Sequence, residues 1–146
     1  MDTTAHRLEL GPADRRALTA GPPVTAADLG AIGEGVAARH LRAHDGLTLL
    51  ARNWRVADGP LRGELDVIAV DAATTTLVVC EVKTRRAAEP FGGAVAALDY
   101  RKHRRLRALT AAFLREQPSR YAHVRIDLVA IDLAHRPILT HLVGLG

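Results

Sequence analysis

Cysteine is nearly absent from this chain of 146 residues: Cys80 stands alone, so no internal disulfide can staple the fold. It lies in the apolar run Leu77-Val78-Val79-Cys80, where a buried thiol is expected rather than a nucleophile. Aromatic residues are also scarce, and Trp54 is the one tryptophan. No stretch approaches the roughly 20 apolar residues that a membrane-spanning helix requires. The opening Met-Asp-Thr-Thr-Ala-His-Arg-Leu-Glu-Leu lacks the apolar centre of a secretory signal, so the expected location is the cytoplasm. There is no Gly-rich phosphate loop, no Cys-x-x-Cys pair and no Ser-His-Asp set that spacing alone identifies.

What remains is an ordinary globular composition, 48% apolar and 25% charged, of a length suited to one domain with one core. The net charge of +4 is a mild excess, but its arginines cluster, which permits a polyanionic partner. Residues 1–24 mix charge with Gly11-Pro12 and Gly21-Pro22-Pro23 without a sustained period, and read as a flexible extension. Residues 25–146 are then the folded domain.

Thr25-Ala26-Ala27-Asp28 has capping-box spacing and predicts a helix to about Asp45, stopped by Gly46. Leu29, Ile32, Val36 and His40 share one face. Gly30, Gly33 and Gly35 are costly inside a helix; they either allow close packing on a sheet or mark a later start. His40 and His44 are four apart, a spacing that can grip a metal, but the Glu that stands beside the first His of the zinc-protease motif is missing. Solvated helix histidines are therefore the expectation. Leu47 to Val56 predicts a strand, in which Arg52, Asn53, Trp54 and Arg55 either line a nucleic-acid groove or place Trp54 over the core edge with the arginines in water.

The chemistry concentrates in Gly63-Glu64-Leu65-Asp66-Val67-Ile68-Ala69-Val70 and Leu77-Val78-Val79-Cys80-Glu81-Val82-Lys83, two apolar runs joined by a short link. They predict an antiparallel hairpin in which Val70 faces Leu77, Ile68 faces Val79 and Asp66 faces Glu81. Opposed residues have Cβ atoms about 5 Å apart, so both carboxylates can reach one divalent cation. Alternation returns Lys83 to that face and turns Val82 away. Spacing leaves a second reading open, in which the strands simply end in water and Glu81 and Lys83 form an exposed pair.

Beyond a basic loop, a long helix is expected from about Ala94 to Glu116, with Val95, Leu98, Leu106, Leu109 and Phe113 facing the core. Lys102 falls on that stripe, and periodicity favours its ammonium snorkelling outwards. Arg101, His103, Arg104, Arg105 and Arg107 cover the other faces, as a solvated surface or as phosphate contacts. Ala122 to Ile131 predicts an interior strand, and Pro137 to Val143 a last strand at a sheet edge.

Taken together, Gly33-Glu34, Asn53-Trp54-Arg55, Gly63-Glu64-Leu65-Asp66, Glu81-Val82-Lys83 with Arg85, Phe91-Gly92, Lys102 and Arg125-Ile126-Asp127 resemble the YraN-like family. That family looks like a branch of the restriction-endonuclease-like PD-(D/E)XK superfamily and is similar to archaeal Holliday junction resolvases. The resemblance covers about residues 30–143. It implies an α/β fold of three layers, a mixed central β-sheet flanked by helices. It further implies that Asp66, Glu81 and Glu34 hold Mg²⁺ or Mn²⁺ and that Lys83 is the catalytic lysine. Arg52, Arg55, Arg85, Lys102 and Arg105 would then hold a nucleic acid, DNA in the first instance. Leu65 stands where the superfamily motif has its Pro, which supplies no ligand. The implied activity is metal-dependent phosphodiester hydrolysis on branched or damaged DNA, with a homodimer to serve two strands. The rival is a non-catalytic nucleic-acid-binding or partner-binding module on the same fold.

Overall fold

The computed structural model describes residues 4–19, 25–86, 100–133 and 137–145. In chain order the elements are β1 (Thr4–Glu9), α1 (Pro12–Thr19), α2 (Ala26–Ala43), β2 (Thr48–Trp54), β3 (Leu65–Asp71), β4 (Thr76–Arg85), α3 (Tyr100–Glu116), β5 (His123–Asp132) and β6 (Ile138–Val143). The six strands form one sheet in the order β1-β6-β5-β4-β3-β2. Every neighbouring pair is antiparallel except β4 and β5, which run parallel. The connection between that parallel pair contains α3, as a crossover requires.

α2 begins with the reciprocal cap that its sequence predicts, Thr25 Oγ1 accepting from the Asp28 N–H and the Asp28 carboxylate accepting from Thr25. It ends before Gly46, whose φ of +65° suits glycine. Its stripe of Leu29, Val36, Ala37 and Leu41 packs on Val67, Val78, Cys80, Val129 and Ile131. The opposite face of the sheet presents Ile68, Leu77, Val79 and Ile126 to Leu106, Leu109 and Phe113 of α3. Because β3 and β4 are covered on both sides, they are apolar almost without alternation. Trp54 covers the rim of the α3 core, edge-to-face with Phe113 at 5.3 Å. The result is the expected three-layer, restriction-endonuclease-like α/β arrangement, a mixed sheet flanked by helices. Among the described residues no helix is long and apolar enough to cross a membrane.

Gly33 shows why the helix tolerates its glycines. A Cβ there would lie 1.9 Å from Thr84 Oγ1, so the bare backbone lets α2 press against β4. Close packing, and not a later start, is the role of Gly33.

Three expectations are corrected. Residues 1–24 are not wholly a flexible extension: β1 pairs with β6 over Thr4–Val143 to Glu9–Ile138, and Leu10 and Leu18 are buried with α2. Arg39 of α2 also donates through Nε to Asp14 at 2.9 Å. β6 is consequently interior, with β1 and β2 at the edges. Finally, His40 is buried and not solvated, its pKa lowered to about 4 by burial and by His141. The expected positions of Val95, Leu98 and Phe91-Gly92, and the start of the long helix, lie outside the described residues.

Candidate functional site

The hairpin register is Val70 to Leu77, Ile68 to Val79 and Val67 to Cys80, which brings Asp66 beside Glu81. Cys80 and Val82 point into the α2 core, the thiol pushed up well above its usual pKa by burial. Asp66, Glu81 and Lys83 instead line a polar cleft of about 280 Å³ together with Glu34, Glu64, Lys102 and Arg105. The cleft opens where β3 begins, between α2, which contributes Glu34, and α3, which contributes Lys102 and Arg105.

Each acid has a different set of neighbours. Asp66 is 7% exposed; it accepts a hydrogen bond from the Val82 N–H at 2.8 Å and its carboxyl also meets that of Glu81. Burial, then the Glu81 charge and more weakly Glu34, outweigh that bond and push its pKa from 3.8 to about 8. Glu81 is equally buried, but it lies 3.5 Å from Lys83 Nζ and 3.8 Å from Lys102 Nζ. Glu34 accepts from Asn53 Nδ2 at 2.8 Å, and Asn53 adopts a left-handed φ of +50°. Glu64 is held by Arg55 through Nε at 3.1 Å and a second guanidinium nitrogen at 2.9 Å.

One carboxylate oxygen from each of Glu34, Glu64 and Asp66 lies within 4.8 Å of the others. That set fits a hard divalent cation, since converging oxygens are the ligands Mg²⁺ takes and an added positive charge would offset the burial and like charges that raise the Asp66 pKa. Relative to the expected trio of Asp66, Glu81 and Glu34, the structure gathers Glu64 with Asp66 and Glu34, and turns Glu81 towards two lysines. Glu64 was legible only as part of the motif, because its side chain is aimed by Arg55 rather than by strand alternation.

The basic residues divide likewise. Lys102 does not simply snorkel into water: it is half-buried beside Glu81, and burial followed by the neighbouring Lys83 lowers its pKa. Arg105 lines the cleft, its stem beside Gly63, where φ is +103°. Arg55 is exposed and spent largely on Glu64, and Arg52 is exposed on the edge strand β2 away from the cleft lining. Arg85 closes β4, two residues past Lys83.

Residues 33–131 match the sequence profile described as uncharacterised protein family UPF0102. The chain is 46% identical over 125 residues to a UPF0102 protein of Mycolicibacterium smegmatis, which covers 84% of this chain and 96% of that protein. It is 44% identical over 132 residues to a UPF0102 protein of Mycobacterium avium, covering 89% and 98%. A UPF0102 protein of Mycobacterium tuberculosis is 45% identical over 128 residues, covering 84% and 95%. A profile match running from the glycine of α2 to the end of β5, across the elements that build the cleft, together with relatives aligned over nearly their whole length, makes this chain a member of the UPF0102, or YraN-like, family.

Proposed function

We propose that the chain is a metal-dependent DNA endonuclease that hydrolyses phosphodiester bonds in branched or damaged DNA during repair or recombination. The observation that carries the proposal is the convergence of Glu34, Glu64 and Asp66 oxygens beside the Glu81-Lys83-Lys102 group. Glu34, Glu64 and Asp66 would hold the cation, with Glu81 fixing both lysines. A bound Mg²⁺ or Mn²⁺ supplies positive charge that polarises a phosphoryl oxygen. The Lys83 ammonium, oriented by Glu81, stabilises charge that develops at phosphorus or positions the attacking water. Lys102 and Arg105, with Arg85 at the end of β4, engage the phosphate backbone without reading bases, so affinity falls steeply with salt. Cutting two strands needs two clefts, and the proposal includes a symmetric homodimer acting in the cytoplasm.

The test is cleavage of labelled four-way junction, flap, single-stranded and linear duplex DNA with Mg²⁺, Mn²⁺ or EDTA. Cutting that requires metal and falls about 10²–10⁴-fold in Lys83→Ala, with DNA binding retained, supports the reading. Binding of DNA without cutting under every metal condition assigns the fold to a non-catalytic nucleic-acid-binding role.

A further inference from the structure

We infer that the chain carries a second metal site, for an ion of the zinc class, formed by His40, His141 and Asp45 where the end of α2 meets β6. It is independent of the carboxylate cleft and of the proposed nuclease activity. His40 occupies the last turn of α2, Asp45 follows that helix, and His141 projects from β6 into the same space. His40 Nε2 lies 3.1 Å from His141 Nδ1, and Asp45 Oδ2 lies 3.3 Å from that same Nδ1. The three donor atoms are all within 4.8 Å of one another. Tetrahedral zinc with ligand bonds of about 2.0–2.2 Å separates its donors by about 3.3–3.6 Å, so two edges of the polyhedron are already close to size.

The surroundings place a carboxylate behind His141. His141 Nε2 lies 2.8 Å from Asp127 Oδ2, and Asp127 also accepts from Arg125 at 2.9 and 3.1 Å and from the Gly144 N–H at 2.9 Å. His141 thus presents Nε2 to the Asp127 carboxylate and turns Nδ1 towards His40 and Asp45. A carboxylate behind a histidine in this way orients the ring and makes it a better ligand.

Two imidazoles and one carboxylate suit zinc, cobalt or nickel better than magnesium. A groove of about 270 Å³ lined by His40, His44, Asp14, Arg39 and Leu139 adjoins the site on its His40 side. The fourth position is left to water. The ion would tie the helix end to the strand that β1 covers, and so stabilise the folded state by mass action.

The experiment uses the untagged full chain, calorimetric titration with Zn²⁺, and Co²⁺ absorption as a report of coordination. Wild type is compared with Asp45→Ala, His40→Gln and the double variant Glu34→Gln/Asp66→Asn. One equivalent is expected to bind, about tenfold or more weaker in Asp45→Ala and His40→Gln, and undiminished at that stoichiometry in the double variant. Asp45 is exposed, so its variant should keep the metal-free melting temperature; if His40→Gln fails to fold, Asp45→Ala decides. Absence of Zn²⁺ binding at about 100 µM, or affinity unchanged in Asp45→Ala, overturns the assignment.

Discussion

Changing Asp66 to Asn removes a charge that the metal-free fold accommodates poorly while keeping the side chain's shape and its acceptor for the Val82 N–H. Burial first, and Glu81 second, raise the Asp66 pKa from 3.8 to about 8. Between these values the folded chain holds a proton that the unfolded chain releases, so stability from this group is full below about pH 4 and is lost as pH rises towards 8. At about 1.4 kcal/mol per pKa unit, a displacement of this size is worth on the order of 5 kcal/mol at its ceiling. Relaxation of the cleft and water entry reduce that, and Asp66→Asn should exceed wild type by about 2–4 kcal/mol at pH 8 in EDTA. The excess should shrink towards pH 4, because there both side chains are neutral. Urea unfolding of both proteins at pH 5, 7 and 8 measures the gap. The reasoning fails if the variant is the less stable at pH 8, or if its pH slope equals that of wild type. With Mg²⁺ added at pH 8, wild type should recover stability and Asp66→Asn should not, since the ligand that binds the ion is gone.

Gly33→Ala should destabilise the fold by about 1–3 kcal/mol, because the added methyl meets Thr84 Oγ1 at 1.9 Å; Thr84→Ala in the same chain should restore part of the loss in a double-mutant cycle. Asp127→Asn should cost about 3–5 kcal/mol near neutral pH by leaving Arg125 and His141 facing a neutral amide. Burial alone would raise the pKa of Asp127, but His141, Arg125 and the Gly144 N–H together hold it below the usual value, so its contribution is present above about pH 4 and lost as pH falls further. Acid titration followed by circular dichroism should therefore show a wild-type transition that the variant lacks. Lys102→Met should leave folding within about 0.5 kcal/mol of wild type, as for other partly exposed positions, while weakening DNA retention on filters in low salt.

Where sequence alone was sufficient, the signal was local. The hairpin register followed from a short link between two β-branched runs, and α2 announced itself through Thr25 and Asp28. Leu106, Leu109 and Phe113 were placed by helical spacing alone. β1 was hidden because it exposes nearly all its side chains and is held by backbone pairing to β6, which leaves no apolar period to read. That omission also made β6 look like an edge. His40 appeared solvated because its partner, His141, lies 101 residues away, and Lys102 appeared to snorkel because its partner acid comes from another element. Long-range polar pairing has no periodicity, so each such contact had to await the fold.

The two buried aspartates of the sheet differ in their partners, and the difference supports the proposed role of Asp66. Asp127, fully buried, meets a guanidinium, an imidazole and a backbone N–H, and its pKa is held down. Such an acid holds β5 to the end of β6. Asp66, nearly as buried, meets one backbone N–H and two like charges, and its pKa is raised. Both positions lie on interior strands with apolar neighbours, so the fold could have satisfied either carboxylate or replaced it with a hydrophobic side chain. Two lysines are within reach of the cleft, yet both approach Glu81 and neither offsets Asp66 sufficiently to keep it ionised at neutral pH. A carboxylate kept short of positive charge, beside two others aimed by Asn53 and Arg55, is a set of oxygens that gains most from a cation supplied from solution. That contrast between Asp66 and Asp127 supports the proposal that the chemistry lies at the start of β3, while Asp127 anchors β5 to the end of β6.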